Sequence, residues 1–596
     1  MKIKLTALIG ALVFIVGLAA PVTVVAASED FDFSINHQFE VSDSTVGVRH
    51  DIEVNNKSQT GLETVEFALP VGVASDITVR YGDGANIPFS SVLKSSSSGG
   101  VEFEHTSLVL DFPRTNDGLN KSWNFTVAYS TSEGRHINGE SRVLLWPFLD
   151  GRLQAEWSAT VDVPQEWPLL NYQPELDITT VGSDTQFRFN GSDYPGDVLG
   201  LSFGADMLHT LSYSQRLSNR SLLPRVMSVI LPLDLHSQSV QLEDLSPRPN
   251  RMRVDGDGNV IAYYRLWPFQ SKTVSYSAQV SSRQLRYDTT KAGDITTTPD
   301  DLRDYTLGGK YWSTQGTAGE QATQLIDTET NAWNNILRIV TYVQDEVRYN
   351  PELTARLSAD KVLEAGEGNA ENLADTLLTM LRSQGIAARL IYGPVLPSTG
   401  LSDEAKFHTW VEAYVPEAGW VHLDPIWARL FGSSGSISSD RIGFLSVSHD
   451  DQSGLYHSLA DTIRIAPAET ALEETAPADL LDLSAERYVV LPGLMFDTQR
   501  VENRSGRIVD DVTLEDTALG SLAPLQSLSV RSWQLGGWSP QTITATVGEL
   551  EFSSQAGVNW WPFGVLCLTA ILAAAVWYHL LRRKQYLHRR LGHHSF

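Results

Sequence analysis

Trp561 to Leu581 is an uncharged stretch of 21 residues, and the only cysteine of the 596-residue chain, Cys567, lies inside it. A helix of that length crosses the hydrocarbon core of a bilayer. Trp560 and Trp561 stand at one boundary and Trp577 and Tyr578 near the other, as interfacial aromatics do. Arg582, Arg583, Lys584, Arg589 and Arg590 follow at once. The pattern predicts a single transmembrane helix over 557–581 and a basic cytoplasmic tail over 582–596. With its one thiol in that run, the chain can form no internal disulfide. It has no cysteine nucleophile or cysteine-based metal site anywhere else.

Residues 1–27 have the form of a secretory signal peptide: Lys2 and Lys4, an apolar stretch from Leu5 to Val25, then Ala26, Ala27 and Ser28. The same stretch is long enough to serve as an uncleaved anchor. The chain is thus expected to be a cell-membrane, single-pass protein with a large extracytoplasmic region. The formal charge is −26; setting aside the five basic residues of the tail and the two of the leader leaves −33 on residues 28–556. Such a surface repels nucleic acid and anionic lipid. It suits basic partners or, more simply, solubility.

The length provides for about four domains at roughly 150 residues each. From Phe31 to about Arg286 short alternating segments rich in Val, Ile, Thr, Ser and aromatics are broken by turns such as Gly82-Asp83-Gly84. This pattern predicts two β-sandwich domains, over 28–205 and 206–290. A faint repeat supports the pair: Val48 to Asn56 resembles Leu211 to Asn219, and each copy reaches a Leu-Trp-Pro-Phe, at 145–148 and 266–269. Asp255-Gly-Asp-Gly-Asn259 invites a calcium reading but lacks a glutamate at the twelfth position, and a hairpin turn explains it equally well. Helical periodicity enters at 330–347, where Ile336, Ile339, Val340, Val343 and Val347 share a face. A second helix is expected from about Ala370 to Gln384, stopped by Gly385, with strands over 386–392, 407–415 and 420–424. Residues 436–485 read as an irregular region and linker. A small β-domain over 486–555 precedes the membrane. Asn-x-Ser/Thr sequons at Asn120, Asn124, Asn190, Asn219 and Asn503 would matter in a glycosylating host.

The stretch from Lys361 through Gly368-Asn-Ala370-Glu-Asn to Ile386-Ala-Ala-Arg-Leu, then Phe407-His408-Thr-Trp410-Val-Glu and Gly419-Trp420-Val-His-Leu-Asp424-Pro425, resembles the core of the transglutaminase-like superfamily. The resemblance covers about 330–430 and implies a central α+β papain-like domain, placed over 300–435. It implies a catalytic Cys, His and Asp, with the Cys at a helix N-terminus where the dipole and the imidazole favour the thiolate. Here Ala370 stands at the Cys position, with His408 and Asp424 at the other two. The site is therefore expected to be degenerate, and the protein a pseudoenzyme. In the strand, His408, Trp410, Glu412 and Tyr414 share one face, and the four-residue loop 416–419 returns the chain so that Asp424 can approach His408.

Each retained residue also has a plainer reading: His408 as a buried histidine bonded to Asp424, Trp410 and Trp420 as packing residues, Glu371 as a first-turn acid on the helix dipole. As binding residues, Glu371, Trp410 and Trp420 would line the old cleft. No hydroxyl is placed to replace the thiol. Glu371 and His408 alone do not make a metal site, and nothing in the sequence requires a cofactor. The expected role is binding or scaffolding of a peptide, protein or cell-envelope polymer. The alternatives are an amide hydrolase or acyltransferase without a thiol, and an adhesin or stalk-like surface protein.

Overall fold

A computed structural model describes residues 30–98, 101–113, 118–138, 141–147, 156–172, 177–191, 198–204, 206–283, 292–294, 299–327, 331–395, 406–431, 441–449, 463–468, 476–515, 517–536 and 542–591. The leader expected over 1–27 lies outside the described residues, as does the end of the tail. The chain divides into two compact units, residues 1–207 with 282–442 and 447–452, and residues 208–281 with 443–446 and 453–596.

The first unit opens with an all-β region. Val46–Asn56 is buried at every second residue from Val46 to Asn56, as a strand with one face on a core must be. It pairs antiparallel with Phe31–Val41 over the full length, from Phe31 opposite Asn56 to Val41 opposite Val46. Both belong to a seven-stranded sheet. A three-stranded and a four-stranded sheet share its core, where Phe39 and Ile52 meet Leu108, Trp146 and Phe203.

The α+β part of this unit follows. Helices α1 (Thr317–Leu325), α2 (Ala332–Glu346) and α3 (Ala359–Ala365) precede α4 (Ala370–Ser383). Strands Ala388–Val395, Lys406–Val415 and Gly419–Leu423 then form an antiparallel sheet with Lys406–Val415 in the middle, and α5 (Pro425–Phe431) follows. The expected helices and strands are all present. α4 packs against the first two of these strands and against α1, α2 and α3.

Rather than presenting one apolar face, α4 is buried all round from Asn372 to Arg382. Its polar residues bond internally. Thr376 donates to the Asn372 carbonyl (2.8 Å) and Thr379 to that of Asp375 (2.7 Å). The Arg382 guanidinium donates to the Ala388 and Ser448 carbonyls. Buried polar groups are tolerated on these terms.

The second unit holds a sandwich of four and three strands. Ile463–Pro467, inside the stretch expected to be irregular, is a strand that pairs antiparallel with Met207–Ser218, Leu211 opposite Ile465. The Asp255–Asn259 turn is closed by its own side chains: Asp255 Oδ1 accepts the Asp257 and Asn259 N–H groups and Oδ2 the Asn259 amide. Two further four-stranded sheets from Leu481 to Asn559 lead into α6 (Trp561–Leu591), whose apolar part is exposed and is long enough to cross a membrane.

One device recurs in three β-regions. Asn56, Asn219 and Asn503 each end a strand or follow it directly, are almost fully buried, and accept the N–H of the serine two residues on. Each donates its amide to the carbonyl four residues on, of Thr60, Leu223 and Arg507. Asn219 also reaches the Leu266 and Trp267 carbonyls, and Asn503 those of Leu522 and Ala523. Here the Asn-x-Ser at 56, 219 and 503 is a corner lock with its amide engaged.

Candidate functional site

α4 begins where the sequence demands. Asn369 is its N-cap, accepting the Asn372 N–H at 2.9 Å, and Ala370 is the first helical residue. Gly368 is needed for close approach: a Cβ there would stand 2.8 Å from Asn372 Cβ and 3.2 Å from Leu373 Cδ1. Glu371, on the first turn, accepts the Tyr392 hydroxyl at 2.7 Å and faces Arg356 at 3.4 Å.

The strand carrying His408 and the one leading to Asp424 run antiparallel, Val411 opposite Leu423. That register puts Asp424 diagonally across from His408 on the same face. Their bond is short, His408 Nε2 to Asp424 Oδ2 at 2.6 Å, and both residues are buried. With Asp424 ionised, Nε2 carries the proton; among the described residues Nδ1 has no hydrogen-bond partner. Asp424 has three further duties. Oδ2 takes Arg441 Nη1 at 2.9 Å, and Oδ1 caps α5 through the Ile426 and Trp427 N–H groups at 3.0 and 3.3 Å. Burial raises the Asp424 carboxyl, but His408 and then Arg441 outweigh it and bring it down to about 2.

Arg441 lies between aromatic rings, its guanidinium carbon 5.3 Å from the Trp410 centroid and 5.4 Å from Trp427. Trp410 is fully buried, and among the described residues its indole N–H has no acceptor. Trp420 is half-buried, with the Arg389 guanidinium 4.5 Å over its ring and Tyr305 and Tyr414 at its edges. Arg389 also belongs to a second buried network. Glu412 accepts Arg389 at 2.7 Å and His422 at 2.7 Å, and these partners hold its carboxyl at about 2 against burial.

A third cluster braces α4 from below its first turn. Asp375 accepts Arg356 through both oxygens (2.8 and 2.9 Å) and the Trp312 indole at 2.6 Å. Nothing local in the sequence marks Arg441, Arg356 or Trp312, since each acts on a residue 15 or more positions away. Among the described residues, no three His, Cys, Asp or Glu side chains are grouped as metal ligands would be.

Residues 319–425 match the family model of the transglutaminase-like superfamily. This part of the chain is a transglutaminase-like domain. Its bounds take in Ala370, His408 and Asp424 and leave out Arg441, and the single cysteine, Cys567, lies well outside. Among solved structures, a candidate cysteine protease from Cytophaga hutchinsonii matches at 15% identity, covering 44% of this chain and 86% of that one, with a TM-score of 0.34. A candidate nutrient-binding protein from Legionella pneumophila matches at 14%, over 29% of this chain and 67% of that one, TM-score 0.22. A candidate protease from Parabacteroides distasonis matches at 12%, over 67% and 68%, TM-score 0.18. At these scores the likenesses say nothing of activity. No curated protein sequence matches the chain.

Proposed function

We propose that this is a membrane-anchored, extracytoplasmic protein whose transglutaminase-like domain binds or organises a peptide or cell-envelope polymer without performing thiol acyl transfer. One observation carries the reading. The first residue of α4 is Ala370, which the sequence resemblance places at the family's nucleophile position, and the chain has no cysteine outside α6. The thiolate is the species that attacks in such chemistry, and a methyl group cannot replace it.

Retention of His408 and Asp424 fits this reading, because Asp424 is tied into the fold independently of any reaction. It caps α5 and neutralises Arg441, so its loss would leave a buried cation and an uncapped helix. Glu371 is likewise engaged by Tyr392 and Arg356, which fix the start of α4. The basic residues in the last turns of α6, Arg582 to Arg590, support a cytoplasmic C-terminus and an extracytoplasmic body.

The test uses the full chain in detergent, incubated with glutamine-containing peptides, amines and cell-wall fragments and followed by mass spectrometry. Wild type and His408→Ala are expected to be silent, and Ala370→Cys to trap an acyl group that names the ligand class. Turnover by wild type that is lost in His408→Ala would overturn the reading in favour of a non-thiol hydrolase.

A further inference from the structure

The sheet next to α6 carries apolar residues that its own core does not use. Its strands are Ser527–Leu535, Leu494–Asn503, Leu481–Leu491 and Gly557–Asn559, in that order. Arg487, Val489, Met495, Asp497 and Val501 are buried on one side. The alternate residues form the other face, and the register ranks them in rows. Glu502 lies opposite Ser527, Arg500 opposite Ser529 and Ser484, and Thr498 opposite Arg531 and Glu486. The rows then change character. Phe496 lies opposite Trp533 and Tyr488, and Leu494 opposite Leu535. The Phe496 ring is 5.1 Å from Trp533 and 6.4 Å from Tyr488. Trp533 is 62% exposed, Leu535 85% and Leu491 47%. One outward face is thus polar at one end and aromatic or aliphatic at the other.

The apolar end is the end at which the chain enters α6. Gly557–Asn559 runs parallel to Leu481–Leu491, with Asn559 beside Tyr488. Two residues later α6 begins, and the Trp561 ring stands 6.4 Å from that of Tyr488. Because the two strands are parallel, the continuation from Tyr488 to Leu491 advances the way the chain does as it enters α6. Three strand residues cover about 10 Å, which brings the Leu491–Leu494 turn and Leu535 level with the first turns of α6. Exposed apolar residues grouped at one end of a sheet normally mark a contact surface. Tryptophan and tyrosine favour the zone between headgroups and acyl chains, where a ring has both an apolar and a polar side to satisfy.

We propose that this end of the sheet lies in the headgroup–acyl boundary of the bilayer that α6 enters, with Leu491, Leu494, Trp533 and Leu535 facing lipid and Arg531 and Glu486 starting the aqueous part. The inference rests on α6 being a membrane span. It gives the membrane-proximal domain a second attachment beside α6, so that the domain is held at a fixed tilt rather than swinging on a single helix.

The lone cysteine makes the test direct. In full-length protein reconstituted into phosphatidylcholine nanodiscs, a spin label on native Cys567 reports the depth of α6. In a Cys567→Ser background, labels at Leu535→Cys and at Ser527→Cys, the opposite end of the same strand, report the sheet. Accessibility is read by power saturation with oxygen and with a water-soluble nickel chelate. The oxygen-to-nickel ratio is expected to be several-fold higher at 535 than at 527, and highest at 567. Equal, nickel-accessible readings at 535 and 527 with 567 in lipid would overturn this inference alone. A nickel-accessible 567 would overturn the membrane-span reading and this inference with it. A label at 535 shielded from both reagents would mean that protein, not lipid, covers the patch, and would also overturn it.

Discussion

Three buried carboxylates in the transglutaminase-like domain respond to acid in opposite senses. Asp424 and Glu412 are held at about 2 by their cationic partners, below the ordinary values of 3.8 and 4.5. Each adds stability that is fully present above the unfolded value and lost as pH falls from the low fours toward 2. For Asp375 burial dominates and pushes the carboxyl up to about 6, despite Arg356 and Trp312. Its native form holds a proton more tightly than the unfolded chain does, so its contribution favours folding below about pH 4 and fades as pH rises through 6. Glu412→Gln should therefore cost about 3 kcal/mol, the scale for breaking a buried pair. It should also flatten the stability profile between roughly pH 4.5 and 2, read by hydrogen exchange of α4 amides. Asp375→Asn should leave that limb intact and flatten the profile between pH 4 and 6. The His408–Asp424 pair was legible in the sequence because alternation and a four-residue return loop fix which side chains share a face. The partners of Asp375 were not, since an arginine 19 residues upstream has no periodic relation to it.

α4 shows how far element-level patterning reaches. The start and the stop could be read at Ala370 and Gly385, because those signals are local. Its complete burial could not. Thr376, Thr379 and Arg382 look like a solvent face on a helical wheel, and only bonding to backbone carbonyls lets them lie inside. The start of this helix should be the more fragile end. Asn369→Ala removes the cap and should cost about 1 kcal/mol. Gly368→Ala forces a Cβ against Asn372 and Leu373 and should cost about 1–3 kcal/mol as an overpacked site. Both should speed exchange in the first turn of α4 before they affect Leu377–Leu381. If Gly368→Ala matches wild type in both stability and exchange, the close approach at this turn is not what requires glycine.

At the scale of the whole molecule, sequence order and spatial order part company. The repeated Asn-x-Ser corner ties three β-regions to one construction, and part of that repeat was readable from Asn56 and Asn219. What could not be read is that the second sandwich takes its edge strand, Ile463–Pro467, from beyond the transglutaminase-like domain. Five residues whose alternation runs only from Ile463 through Arg464 to Ile465 carry too short a signal of their own, and the edge of Met207–Ser218 makes them a strand. The consequence can be tested without cutting the chain. In an antiparallel ladder, consecutive residues alternate between those whose N–H faces the partner and those whose N–H faces away. Proline lacks that N–H, so of Arg464→Pro and Ile465→Pro only one removes a ladder bond directly. That variant should raise hydrogen exchange in His209–Tyr213, the partners of the strand, while the other leaves them protected. Both should leave α4 unchanged, since it belongs to the other compact unit. Exchange at His209–Tyr213 that is fast in wild type as well would mean the edge is open in solution, and that the 463–467 segment closes nothing.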